Sequence, residues 1–507
     1  YLSGTLFGSP VSLETRIKAR QDLERMMDSV DQSLADGRRL DEIEPGMFSE
    51  TMSMNRRLLQ GAVDDLVQRV EQSAPERIER ADLPDLVRVR KRPRRLVTVF
   101  GELQIGGPGY AVREKQKVEH APVDQQLGLP EGEFSYLFQN WSGRFFVRNA
   151  YGDASASLVD LLRVKVSVDS LESMNLRMAA DVEAFREQQP APPAKEEGEL
   201  LVLSADATGV PMANRGGQMQ MAYIGAAYTV DRFVRTAQDV LDEVLRKQSQ
   251  KGRPRPRPRP QFKRLYADMT RPATDVSDVA LDGRVGVFSW LAHEHQTRAA
   301  SGSQPRPVIC LMDGEHKLWE RKDQLLGEDV VEILDFWHFL ERLRAVSKLL
   351  CDTDAAAEAF VKERLTRVLN GELGRLIGGL RQMLKKRRLK KRRLKKRRLS
   401  KRRLSKRNLS KKSQATIQSA ITYFENNRSR MRYGDYLREG YPIASGIIEG
   451  SCRLVVEDRL DRTGMRWSLD GALAMLANRT TSLSDDWNDY QTFRITREQN
   501  RLYSTTT

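Results

Sequence analysis

The stretch LLVLSADATGVPM, residues 200–212, is apolar over its first four positions, reaches an acid at Asp206 and closes through Gly209 and Pro211. A short apolar run bounded by turn residues reads as a buried β-strand. Two later stretches repeat the arrangement. RPVICLMDGEHKLWE, residues 306–320, arrives at Asp313, and VVEILDFWHFLERLRAVSKLL, residues 330–350, arrives at Asp335 where strand passes into helix. Between them MQMAYIGAAYTVDRF (219–233) and FKRLYADM (262–269) read as two further strands, and RVGVFSWLAHEHQTRA (284–299) as a helix. Ligands of α/β sheets gather beyond the carboxyl ends of the strands, which is where these acids are expected. One aspartate at such a point often does no more than close a strand or open a turn. Several carboxylates converging without bases repel one another and call for a cation. Oxygen ligands suit a hard divalent ion, and the scarcity of Cys and His argues against zinc. Two Mg²⁺ ions about 3.5–4 Å apart are the usual clamp for in-line attack on a phosphodiester.

A fourth carboxylate stands in YPIASGIIEGSCRLVVEDRLDRTGMRW, residues 441–467, where Glu449 opens what reads as a long amphipathic helix. An acid in the first helical turn faces the positive end of the macrodipole, and Arg453 lies four residues on, able to pair with it. A capping box does not fit, since Ser445 as cap calls for an acid at 448, where Ile stands. Gly446 and Gly450 flank the acid and allow close approach of backbone to a ligand.

The chain of 507 residues has room for roughly two to four domains. No run approaches the ~18 apolar residues of a membrane span. The opening YLSGTLFGSPVSLETRIKAR lacks the basic start, apolar centre and cleavage site of a signal peptide, and with no initiating Met the natural start is expected to lie elsewhere. Cys310, Cys351 and Cys452 are scattered, with no CxxC, which suits a soluble protein of a reducing compartment. The net charge of +16 is concentrated in one place. From 385 to 412 the repeat LKKRR and its variants supply nineteen Lys and Arg and no acid, so the rest of the chain is close to neutral. A five-residue step rotates about 140° on a helix, so the leucines spiral and form no buried stripe. Such a tract is expected to be solvated, helical or disordered. It either touches nucleic acid through phosphates alone or is a tandem expansion carried in a surface loop.

Upstream, residues 12–80 are patterned as helices, and 96–114 read as a β-hairpin turning through Gly-Gly-Pro-Gly. Residues 156–185 suggest two short helices with a turn near Val164 to Val168, either a DNA-binding helix-turn-helix or an ordinary helical hairpin. QQPAPPAKEEGE (188–199) is a Pro-rich linker, and GRPRPRPRPQF (252–262) an extended loop tip.

SADATGVPM, LMDGEHKLW, ILDFWHFLERL and the 441–467 stretch, in that order, resemble bacterial insertion-sequence transposases with a DDE core, most closely the ISKra-type branch related to the ISL group. The last motif is the most specific, with its Pro-Ile-small-Ser-Gly-x-x-Glu opening and Gly-Met-Arg-Trp close. PVDQQLGLPEGEFSYLFQNW (122–141) resembles the region before the helix-turn-helix in that group. The resemblance runs from about residue 100 to 480, with gaps at the Arg-Pro loop and the LKKRR repeat.

The resemblance implies an RNase H-like α/β core, a mixed five-stranded sheet with helices, interrupted by a helical insertion and preceded by a mainly helical DNA-binding region. Its divisions would be a helical N-terminal region (1–95), a hairpin and helix-turn-helix-like region (96–187), the linker (188–199), a first core segment (200–352), a basic helical insertion (353–440), a second core segment (441–485) and a tail (486–507). Asp206, Asp313 and Glu449 would be the catalytic acids and would hold two Mg²⁺, for which Mn²⁺ can substitute. Asp335 and His338 would support them, although His338 reads equally as a core histidine, and Glu457 is a weaker rival to Glu449. Arg453, Arg459, Arg462 and Arg466 would contact phosphates. The implied activity is Mg²⁺-dependent cleavage at the element's ends and strand transfer, on double-stranded terminal repeats and target DNA. A homodimer or larger assembly and a cytoplasmic, nucleoid-associated location go with it. The same acids also suit an RNase H-like nuclease or resolvase without strand transfer, or a decayed DNA-binding remnant.

Overall fold

The computed structural model describes residues 11–80, 83–89, 93–245, 256–273, 280–299, 305–396 and 410–504, with the side chains of Arg215 and residues 387–396 outside that description. The chain divides into two compact units, Tyr1–Phe185 with Trp487–Thr507, and Arg186–Asp486.

The first unit opens with α1 (Leu13–Ala35) and α2 (Leu40–Ser73). Ser12 caps α1 by accepting from the Thr15 amide, and the buried Asp22 ties the two helices by accepting from Arg57 Nε at 2.7 Å. Strands β1 (Arg77–Ile78), β2 (Leu86–Val89), β3 (Arg94–Thr98), β4 (Gly101–Ile105) and β5 (Gly109–Ala111) follow. The hairpin expected over 96–114 is present but turns elsewhere. β3 pairs with β4 through a two-residue turn at Val99–Phe100, where Thr98 Oγ1 accepts from the Phe100 amide and Gly101 takes a φ of 114°. The Gly-Gly-Pro-Gly segment instead carries the chain into a second sheet, in which β5 pairs with β2 and Tyr110 is fully buried.

Helices α3 (Pro122–Gln126), α4 (Tyr136–Phe146), α5 (Tyr151–Leu162) and α6 (Val168–Ala179) come next in this unit, and α7 (Val182–Gln188) crosses the division. The turn between α5 and α6 lies where the sequence places it. Arg163 ends α5 in the left-handed conformation (φ 56°), Ser155 Oγ donates to the Val166 carbonyl, and Ser167 caps α6. The expected C-terminal tail is a helix, Trp487–Tyr503, belonging to this unit. Trp487 Nε1 donates to Asn140 Oδ1 at 2.8 Å, and the Tyr490 hydroxyl reaches the Met178 carbonyl.

The second unit contains β6 (Leu200–Pro211), β7 (Met219–Val230), α8 (Ala237–Val244), β8 (Gln261–Met269), α9 (Gly283–Ala299), β9 (Val308–Met312), α10 (His316–Leu325), β10 (Val331–Leu334) and α11 (Phe336–Leu350). Its sheet has the order β10-β9-β6-β7-β8. β6, β7 and β8 form an antiparallel meander, while β9 and β10 run parallel to β6. α12 (Asp354–Leu369), α13 (Leu373–Lys396), α14 (Lys411–Asn426), α15 (Tyr433–Arg438), α16 (Gly446–Cys452) and α17 (Leu469–Leu483) follow. The second half of the LKKRR tract, 397–409, and the first residues of the Arg-Pro stretch lie outside the described residues.

The strands alternate between two cores, as period-two side chains must. Leu201 and Leu203 of β6, with Cys310 and Met312, face α9 and α10. Leu200 and Val202, with Ile309, Leu311 and Ile333, face a core that continues without a break through α11 to α15 and includes Phe339, Leu365, Leu380, Ile421 and Tyr433. The helical segment expected as an insertion of its own thus shares the sheet's core. Leu384, the first leucine of the repeat, is buried there. Among the described residues no helix is long and apolar enough to cross a membrane.

Candidate functional site

Strand parity and register bring the acids together. Asp206 has the parity of Leu200 and Val202, and Asp313 that of Ile309 and Leu311, so both face the side covered by α11 to α15. Leu203 pairs with Cys310 and Leu334 with Met312. Continuing each ladder to the acids sets Asp206, Asp313 and Asp335 in one row across β6, β9 and β10. Asp206 does not end its strand, as the sequence suggests, because β6 and β7 pair onward to Pro211. It does lie just past the last pairing of β6 with β9, at Leu203–Cys310, where the sheet opens.

Glu449 arrives from the other direction. The long amphipathic helix expected from Tyr441 onward is instead the seven-residue α16 followed by a five-residue π-turn, Arg453–Glu457. The physical reason is Arg479 of α17, whose buried guanidinium donates to the carbonyls of Leu454 and Val455 and draws them from the α-helical ladder. α16 packs against β6 and β7, which carries Glu449 to the row of aspartates. Arg453 does not pair with Glu449; it reaches Asp458 at 3.4 Å. A Cβ on Gly446 or Gly450 would meet no protein atom within 4 Å, so protein packing does not demand glycine there.

The acids differ sharply in what holds them. Asp335 is fully buried and caps α11. Its Oδ1 accepts from the amides of Trp337 (2.7 Å) and His338 (3.2 Å), and its Oδ2 from the amide and hydroxyl of Ser445. Four donors fill the four lone-pair positions of a carboxylate. Asp313 accepts on Oδ1 from the Gly314 amide and, at 2.7 Å, from the Tyr423 hydroxyl, with His338 Nδ1 at 3.9 Å from the same oxygen. Asp206 accepts on Oδ1 from the Ala207 amide at 2.8 Å, and among the described residues its Oδ2 takes only the weak thiol donor Cys452 at 3.6 Å. Glu449 is exposed, and its carboxylate has no hydrogen-bond partner among the described residues.

None of Asp206, Asp313 or Glu449 is ion-paired with Lys or Arg among the described residues; His338 is a basic neighbour of all three. The electrostatics follow. Burial, then the Asp313 charge, raises the Asp206 carboxyl above its usual value, against the opposing pull of the Ala207 amide, His338 and Cys452. Partial desolvation, then Asp335 and Asp206, raises Glu449, while His338 opposes it. Burial, followed by the Asp206 charge, pushes the Cys452 thiol up, so it stays protonated and donates. Tyr423 is raised by burial and by Asp313 and likewise remains a donor.

Among the described residues, one group of three offers ligand atoms within 4.8 Å of one another: Asp335, His338 and Glu449. The trio expected from the sequence, Asp206, Asp313 and Glu449, is not drawn that close. The saturated Asp335 has no lone pair to offer a cation, so in this group it braces its neighbours. By capping α11 it fixes His338, and through Ser445 it fixes the start of the Glu449 helix.

Of the four nominated arginines, Arg459 is no surface contact. It is buried, with its guanidinium 5.0 Å from the Trp467 ring centre and Nη1 3.5 Å from Met465 Sδ. Arg453, Arg462 and Arg466 are exposed, as is Glu457. Sequence reasoning missed Tyr423, Ser445, Cys452 and Arg479. Ser445 stands inside the quoted motif, and its non-capping position was the available signal. Tyr423 lies in an ordinary amphipathic helix and offered none. No protein-family model and no curated protein matches this chain.

Proposed function

We propose that the chain is a DDE-type transposase with an RNase H-like core, cutting DNA at the ends of its element and joining the freed 3′-hydroxyls to target DNA. The observation that carries this reading is the row of aspartates at the opening of β6 and β9, met by Glu449 and held without any Lys or Arg counter-charge among the described residues. The mixed five-stranded sheet, a meander extended on one side by two parallel strands, supports the reading.

The donor set fits a hard divalent cation. Asp206 and Asp313 each keep an oxygen with no strong donor, and Glu449 keeps both. Burial, and after it the neighbouring acids, raises the Asp206 and Glu449 carboxyls, and a bound cation relieves both costs. These three would hold Mg²⁺, and in a two-ion site the acids need not converge on a single point. When bound, Mg²⁺ supplies Lewis-acid charge and a more acidic water. The chain's own role is positioning. Asp335 locks the Glu449 helix to β10, and His338 Nδ1 stands 3.9 Å from Asp313 Oδ1. Arg453, Arg462 and Arg466, exposed on the segment that follows Glu449, give that segment a basic border. Backbone phosphates suit that border. The α5–α6 pair is the proposed reader of the terminal repeats.

The test is purified full chain on labelled DNA carrying the terminal repeats that flank its gene, with Mg²⁺ and with EDTA. Mg²⁺-dependent cleavage at the repeat boundary, lost in Glu449→Gln, supports the reading, and joined products separate a transposase from a simple nuclease. Cleavage that survives in both Asp206→Asn and Glu449→Gln would overturn it.

A further inference from the structure

The helix that follows the basic tract, α14, sends one side chain into the carboxylate row. Tyr423 donates its hydroxyl to Asp313 Oδ1 at 2.7 Å, and the Gly314 amide reaches both that oxygen and, at 3.2 Å, the tyrosine hydroxyl. The ring is held from two sides. The exposed Arg342 of α11 places its guanidinium 3.8 Å from the ring centre, a cation–π contact. Gly314 lies so close that a Cβ there would collide with the ring's hydroxyl-bearing edge, 2.7 Å from Cζ. Nothing in the proposed chemistry calls for this tyrosine, and no motif of the 441–467 stretch contains it.

Its effect on Asp313 is specific. A carboxylate oxygen has two lone-pair positions, and the Gly314 amide and Tyr423 hydroxyl fill both on Oδ1. Oδ2 carries neither bond. Asp313 can therefore give a cation one oxygen and not two. Mg²⁺ demands near-octahedral geometry with single-oxygen ligands, whereas the larger Ca²⁺ readily takes a carboxylate by both oxygens.

Resting on the metal-site reading above, we infer that Tyr423 is a positioning residue that holds Asp313 to single-oxygen ligation and thereby sets the site's preference for Mg²⁺ over Ca²⁺. The device belongs to the helical segment, not to the sheet. Loss of the hydroxyl frees Oδ1 for the ion, and loss of the cation over the ring lets the hydroxyl drift.

The test reads ion binding, not turnover. Terbium luminescence of the full chain is displaced by Ca²⁺ and, separately, by Mg²⁺. The variants compared are wild type, Tyr423→Phe, Arg342→Gln and Asp313→Asn, with thermal unfolding recorded for each. The expected result is a shift of the Mg²⁺-to-Ca²⁺ displacement ratio toward Ca²⁺ by about tenfold in Tyr423→Phe. Arg342→Gln, which keeps both donors to Asp313 in the chain but loosens the tyrosine ring, should give a smaller shift of the same sign. If terbium binding is the same in Asp313→Asn as in wild type, the metal-site reading itself fails. If binding depends on Asp313 but neither the tyrosine nor the arginine variant moves the ratio, the site stands and the role given to Tyr423 is overturned. A ratio that moves only because the variant unfolds is recognised by its melting curve, and the other variant then decides.

Discussion

Asp335 and Glu449 lie within ligand reach of the same histidine, yet they are held in opposite ways. Asp335 is buried with four donors on its two oxygens. Glu449 is exposed with none among the described residues, and its neighbours are acids. A buried carboxylate satisfied by amides and a hydroxyl belongs to the scaffold, because removing it strands several polar groups at once. A carboxylate with no such donors, raised by partial desolvation and then by neighbouring acids, does not hold the fold together and is available for chemistry. The pair shows that proximity alone does not assign roles; the count of occupied lone pairs does.

The sharpest way to break this contrast is Glu449→Gln, which should lower Mg²⁺-dependent cleavage by on the order of a thousandfold or more, equivalent to about 4 kcal/mol of barrier. The unfolding midpoint in EDTA should hold or rise slightly. A large loss of stability would place Glu449 in the scaffold with Asp335. Asp335→Ala should do the reverse, costing about 3 kcal/mol or more in urea unfolding, since the Trp337, His338 and Ser445 amides and the Ser445 hydroxyl lose their acceptor together. Ser445→Ala removes one of those four bonds and should cost about 1.5 kcal/mol, with cleavage falling as the Glu449 helix loosens.

The smallest effect is in pH dependence, and its sign differs between two acids. Glu449 is raised above 4.5 in the folded chain, so the unfolded chain gives up its proton first, and stability falls as pH rises from 4.5 through the folded value. Glu332 of β10 is the counter-case. Burial works to raise it, but Lys322 at 2.6 Å and Arg430 at 2.7 Å prevail and lower it, so its contribution is present above 4.5 and lost as pH falls through the lowered value. Urea midpoints in EDTA, compared with Glu449→Gln and Glu332→Gln across the acid range, should therefore show differences of opposite slope.

The sheet was legible because its strands are buried on both faces, and an apolar run ending at an acid survives in the sequence whatever covers it. Every strand of the second unit and α9 and α11 fall where the residues place them. The Gly-Gly-Pro-Gly hairpin misled because turn residues mark a change of direction without saying which strand is met next, and the Thr98 side chain closed an earlier turn. The long Glu449 helix failed for a tertiary reason: Arg479, beyond the motif's end, takes two of its carbonyls. Arg459 read as a phosphate contact because its charge is visible and its burial against Trp467 is not. For the site, the four acids and His338 could be named from sequence. Which of them is satisfied could not, since half of the donors to Asp335 and to Asp313 come from Ser445 and Tyr423, both more than a hundred residues away.

The core shared by β6 and α11 to α15 has a consequence in time. Leu200 and Val202 belong to the same cluster as Ile421, Tyr433 and Ile443. During synthesis the strands bearing Asp206 and Asp313 leave the ribosome long before their cover, and at about 5–20 residues per second Glu449 follows Asp313 by on the order of ten seconds. Over that interval the helices α11 to α15 that cover the sheet are still being added, and the carboxylate cluster is not assembled. Translation order thus delays the complete site until Glu449 has been made.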